Sequence, residues 1–153
     1  MGRPTPGTRP GGRAPRPTRP GPGSEHETPL GALRRHFLSR LAARDPVTGL
    51  NDRAEVQGLY RLILDTPSLA ARVLTYTARG EQFLAAALRE AGGDDLTARL
   101  AATQIIAVHQ TLAVENTRQI AAGRAAVDVY PEAARGAERG FDLLSGGIPA
   151  PYA

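Results

Sequence analysis

Helix start and stop signals cut residues 28–147 into five segments, and this punctuation constrains the fold more than any other feature of the chain. Thr28-Pro29 sets a capping residue before a proline at the first helical position. Leu30, Leu33, Phe37 and Leu41 then recur at helical spacing until Asp45-Pro46 closes the segment, because a residue before proline disfavours helical backbone. After a loop through Gly49, Asn51 or Asp52 offers the next cap. Val56, Leu59, Tyr60, Leu62 and Ile63 give the second helix an apolar face as far as Asp65. Thr66-Pro67 repeats the start signal and opens a long third helix. Its stripe runs through Leu69, Val73, Tyr76, Gly80, Phe83, Leu84, Ala87 and Leu88 to a stop at Gly92-Gly93. Asp94 or Asp95 caps a fourth helix that extends to about Gly123. Arg124 to Asp128 form a connector, and a fifth helix follows with Pro131 in its opening turn and Gly146-Gly147 at its end. No segment alternates in the manner of a strand, so the reading is an all-α domain of five helices.

Composition agrees with that reading and removes several function classes. Aromatics are only 5% of the chain, so Leu, Ile, Val and Ala must fill the core, and Ala, Leu and Arg are strong helix formers. All 19 basic residues are Arg, which reads first as a GC-rich coding bias and second as selection for guanidinium. The absence of cysteine excludes disulfides, thiolate metal sites and thiol nucleophiles. No apolar run approaches the roughly 20 residues of a membrane span, and the N-terminus has no secretory signal pattern. The expectation is a soluble, cytoplasmic protein without a membrane partner.

Residues 1–27 read as a tail distinct from the domain at 28–148, with 149–153 a second, short tail. Residues 1–23 hold seven Pro, six Gly and five Arg with no acid, which against the net charge of +4 leaves the body at about −1. Such a segment cannot bury enough apolar surface to offset its ordering entropy, and disorder is expected. Spaced arginines allow weak, salt-sensitive nucleic-acid binding, but no aromatic residue interleaves with them to stack on bases. A solvated extension is the simpler reading.

The fourth helix is the most informative segment. At 100° per residue it resolves into two apolar faces. One holds Ala98, Ala102, Ile105, Ile106, His109, Leu112, Ala113, Asn116 and Ile120; the other holds Leu96, Leu100, Thr103, Ala107, Thr111 and Val114. A helix apolar on both sides is buried on both sides, so one face is expected against the domain's own core and the other against a partner subunit. Periodicity leaves open which is which. In the fifth helix Tyr130, Ala134, Ala137, Phe141 and Leu144 follow the 4-3-4-3 spacing of a helix–helix seam, and Ala133/Ala137 and Gly136/Gly140 allow close approach.

The succession "ALRRHFLSRLA", "LYRLILDTPSLAARVL", "LTARLAATQIIAVHQTLAVEN" and "AERGFDLLSGGI" resembles the C-terminal ligand-binding and dimerisation domain of TetR/AcrR-family transcriptional repressors over residues 28–148. The resemblance implies that the last two helices pair with their counterparts across a two-fold axis as a four-helix bundle. It also implies an inner cavity for a hydrophobic small-molecule effector. One feature departs from the family: its repressors begin with a helix-turn-helix domain, and the Pro- and Gly-rich residues before Thr28 cannot form it. The expectation is therefore a regulatory domain without its own DNA-binding half, which on its own binds no operator specifically. A truncated product, a misplaced start and a genuine stand-alone module all fit.

On this reading the dimer interface comprises Leu100, Ala107, Thr111, Val114, Tyr130, Ala134, Ala137, Phe141 and Leu144. The ligand-binding set comprises Tyr60, Tyr76, Phe83, Ile105, His109, Leu112 and Asn116, with His109, Asn116 and Gln104 as candidates to orient a ligand. The alternative is that His109 and Asn116 are satisfied polar residues of a core or seam. His26, His36 and His109 are too scattered for a metal site, the serines lack an elbow motif, and no phosphate-binding glycine motif is present. No catalytic residue and no cofactor is expected. The alternatives to an effector-sensing regulator are a structural helical dimer without ligand and a weak nucleic-acid binder acting through the tail.

Overall fold

The computed structural model describes residues 27–148 and Tyr152. The expected tail falls outside the described residues apart from Glu27, as do residues 149–151 and 153. The fold is all-helical, with five helices: α1 (Pro29–Ala42), α2 (Ala54–Asp65), α3 (Pro67–Glu90), α4 (Asp95–Ala121) and α5 (Ala126–Gly147). A single 3-10 turn, Pro46–Thr48, links α1 to α2.

Local chemistry accounts for most boundaries. Thr28 Oγ1 accepts from the Gly31 amide at 3.1 Å, and Asp94 Oδ1 accepts from the Thr97 amide at 3.0 Å, each satisfying an otherwise orphaned N–H. The second Thr-Pro signal works differently. Thr66 closes α2 and opens α3 at once, and its side chain makes no capping bond. The fifth helix begins earlier than its proline suggests, at Ala126, leaving Pro131 inside it. The cap comes from far along the chain: Asp52 Oδ2 accepts from the Ala126 amide at 2.8 Å. No local pattern could reveal that bond.

The core lies among α1, α4 and α5. Leu30, Phe37 and Leu41 of α1 meet Ala98, Ala102 and Ile105 of α4 and Val129, Ala137 and Phe141 of α5. The many alanines let the helix axes approach closely. At Gly140 a Cβ would stand 2.8 Å from Val108 Cγ1, so α5 presses on α4 there more tightly than a side chain allows. Arg34 ties α1 to α5 through Asp142 at 2.9 Å and through Glu138. On the other side α3 packs along α4, and α2 packs on α3. Neither contributes much to the core: α2 buries no residue and α3 buries only Leu88.

Two expectations need correction here. Ala137, Phe141 and Leu144, assigned to a dimer seam, are buried inside their own chain, because this face of α5 is already covered by α1 and α4. Residues 149–153 are also not wholly a tail. Tyr152 is fully buried, and its carbonyl accepts from the Leu30 amide at 3.1 Å. Its hydroxyl fills the space beside Gly93, where a Cβ would lie 1.2 Å from Oη. Gly93, read as a helix stop, is thus also the seat for a C-terminal anchor.

Candidate functional site

A buried turn is what shapes the site. Residues 45–51 fold back on α4 instead of looping into solvent, and Thr48, Gly49, Leu50 and Asn51 are all buried. Asp45 Oδ1 accepts from the Val47 amide at 3.0 Å, Thr48 Oγ1 donates to the Asp45 carbonyl at 2.7 Å, and Asn51 Nδ2 donates to the Arg44 carbonyl at 2.7 Å. Gly49 adopts φ +72° against the Ala113 carbonyl, a conformation and an approach that suit glycine. Asn116 Nδ2 then donates to the Thr48 carbonyl at 2.8 Å and holds the turn to α4. Buried backbone carbonyls need such partners. Asn116 is therefore spent on structure.

Docking the turn leaves a pocket of about 410 Å³ between α1, α3 and α4. His36, Phe37 and Arg40 of α1 form one wall, with Val47 and Thr48 of the turn. Val73, Thr77 and Gly80 of α3 and Ile106, His109, Gln110 and Ala113 of α4 form the rest. The volume lies within the range of small-molecule sites, and the walls mix apolar surface with a few polar groups. Val73, Thr77 and Gly80 recur at 4-3 spacing, which brings one face of α3 to the pocket. Gly80 leaves room: a Cβ there would meet nothing within 4 Å.

His109 sits at the inner wall. Its ring stacks on Phe37 at 4.9 Å between centroids and tilts against Phe141 at 5.5 Å. Its Nε2 is sealed from solvent and bonds to nothing among the described residues. Burial, with the nearby His36 second, pushes the imidazole down to about 4, so it is neutral at physiological pH. A histidine that must stay neutral to fold stabilises the protein above its ordinary value of 6.5, and that stability is lost as pH falls from 6.5 toward 4. The loss should reach roughly 3 kcal/mol. Thermal unfolding of wild type and His109→Phe at pH 7 and pH 4.5 checks this. The variant, with one more aromatic ring beside Phe37 and Phe141, should hold its melting temperature better on acidification. Equal acid sensitivity of the two proteins would place the effect elsewhere.

The remaining expected ligand residues scatter. Ile105 is buried in the core beneath the pocket. Tyr76 and Phe83 are 71% and 76% exposed on the outer face of α3. Tyr60 donates its hydroxyl to the Pro46 carbonyl, bracing the turn from α2. Leu112 faces a second groove of about 530 Å³ between α4 and α5, where Gly136 and Gly140 lie beside Glu115, Glu132, Arg135 and Arg139. Gln104 lines a third cleft with Leu100 and Ile148. Only His109 of the seven ligand candidates lines the α1–α3–α4 pocket, and the turn residues that complete it carry no periodic signal. The mid-helix Gly80 was the available hint, since glycine there costs stability unless space is needed.

The other face of α4 is uncovered. Leu96, Leu100, Thr103, Ala107, Thr111 and Val114 are all exposed, Val114 by 68%, and none of the six is charged, though Glu81 of α3 reaches Thr103. Leu143 and Tyr130 of α5 are exposed, Leu143 beside the Gly136/Gly140 groove, whereas Ala134 is only partly accessible. No helix among the described residues is long and apolar enough to cross a membrane, and no cluster of His, Asp and Glu among them is arranged to hold a metal ion. Comparison with family models, with curated proteins and with solved structures finds no match.

Proposed function

We propose that this chain is a homodimeric regulatory domain of the TetR/AcrR kind, in which a small apolar effector occupies the α1–α3–α4 pocket. The observation that carries the reading is the division of labour on α4. Ile106, His109, Gln110 and Ala113 line the pocket, while Leu100, Ala107, Thr111 and Val114 form an exposed, uncharged stripe further round the same helix. Contiguous exposed apolar surface marks an interaction site. A rigid helix that touches an effector on one side and a second subunit on the other couples the two, because a shift of its packing is felt at both. The groove of α5 beside Leu143 carries charges of both signs, which can pair with each other across a two-fold axis. In repressors of that kind the same shift resets the spacing of two DNA-binding heads.

Light scattering after size exclusion tests the dimer on wild type and Ala107→Arg. Ala107 is exposed in the isolated chain, so the substitution leaves the fold intact, but at a subunit interface it buries an unpaired charge at a cost of several kcal/mol. The expected result is a wild-type dimer and a folded, monomeric variant. A wild-type monomer would remove the partner face from the reading.

A further inference from the structure

We infer that the pocket between α1, α3 and α4 takes an amphipathic anion, a single apolar chain that ends in a carboxylate or another oxyanion head. The inference rests on the effector reading above and narrows it. The ionisable side chains on the wall are His36, Arg40 and His109, and no carboxylate lines the pocket. Arg40 gives its Nε and Nη2 to Asp45 Oδ2 at 3.0 and 2.9 Å, and its Nη1 makes no bond among the described residues. That leaves a donor for an oxyanion at the α1 rim, with exposed His36 one turn away. The rim therefore offers one free guanidinium N–H from α1, with no carboxylate among the lining side chains to compete for it. Phe37, Val47, Ile106 and Ala113 offer apolar wall for a chain. An ammonium head would face the guanidinium with no lining carboxylate to pair with, and an uncharged head would accept a weaker hydrogen bond than an oxyanion does.

Calorimetric titration of the full chain with decanoate, decanol and decylammonium, at neutral pH and low salt, tests the inference. Decanoate should bind at least tenfold more tightly than decanol, with no detectable binding of decylammonium, and added salt should narrow the gap. The paired variant Arg40→Gln/Asp45→Asn keeps a neutral hydrogen-bonded pair and the acceptor for the Val47 amide. It should weaken decanoate about tenfold and leave decanol unchanged. Gly80→Leu places a side chain into the open space and should abolish decanoate binding. Equal affinity for decanol and decanoate would overturn the anionic head while leaving the effector reading intact. Decanoate binding that survives Gly80→Leu would place the anion elsewhere on the chain and overturn the site. Failure of all three ligands to bind would overturn the effector reading itself.

Discussion

Gly49→Ala should lower the stability of this protein by about 3–5 kcal/mol, a fall in melting temperature on the order of 10–20 °C. Three costs coincide at this residue. An alanine at φ +72° pays about 1 kcal/mol for left-handed backbone. Its Cβ would lie 2.0 Å from the Ala113 carbonyl oxygen and 2.6 Å from Thr117 Oγ1, and the first of these belongs to the rigid backbone of α4. The turn must therefore lift. Lifting it breaks the Asn116–Thr48 bond of 2.8 Å, strands a buried amide, and exposes Thr48 and Leu50, both fully buried in the native chain. It also dismantles one wall of the pocket. The same exchange at Gly58, where a Cβ meets nothing within 4 Å in the middle of α2, should instead raise stability by about 0.5–1 kcal/mol. Thermal unfolding followed by circular dichroism reads both variants. Equal effects at the two glycines would mean that the turn is not docked on α4.

Ala137→Glu should unfold the chain outright. Ala137 has no exposed surface and belongs to the apolar cluster among α1, α4 and α5. Burying an unpaired charge there costs about 5 kcal/mol or more after relaxation, and adding four heavy atoms to a close-packed site costs further. Typical domains hold only about 5–15 kcal/mol in total. Loss of helical circular dichroism at 25 °C is the expected result. A variant that stayed helical and merely dissociated would return this face of α5 to a subunit interface. Ala107→Arg and Ala137→Glu therefore separate two surfaces that look alike in one dimension: the first should cost assembly, the second folding.

The periodicity of α5 shows why they look alike. Tyr130, Ala134, Ala137, Phe141 and Leu144 carry a seam pattern that specifies an apolar contact along one helix face. A seam between α5 and its own α1 and α4 obeys the same 4-3 rule as a seam between subunits, so the spacing cannot name the partner. On α4 the opposite held. Two apolar faces were legible, but their assignment to inside and outside required knowing that α1, α3 and α5 all gather on the His109 side. Of the candidate site, only His109 was legible in advance. Asn116 has the chemistry of a ligand contact and performs that of a turn anchor. Tyr76 and Phe83 share the hydrophobicity of pocket residues, yet helix rotation aims them away from α4.

What the amino-acid sequence alone determined was local: which segments are helical, where Thr28 and Asp94 start them, and where glycines end them. These follow from backbone hydrogen-bond satisfaction within a few residues, which a one-dimensional pattern carries wherever the cap is local. Only the tertiary structure decided the contacts between residues distant in the chain. Asp52 caps α5 across 74 residues, Asn116 fastens the turn across 68, and Tyr152 reaches back to the start of α1. Each is a single hydrogen bond or a single packed ring, with no repeat to betray it. Together they set which face of each helix is enclosed, and so which face is left for an effector or a second subunit.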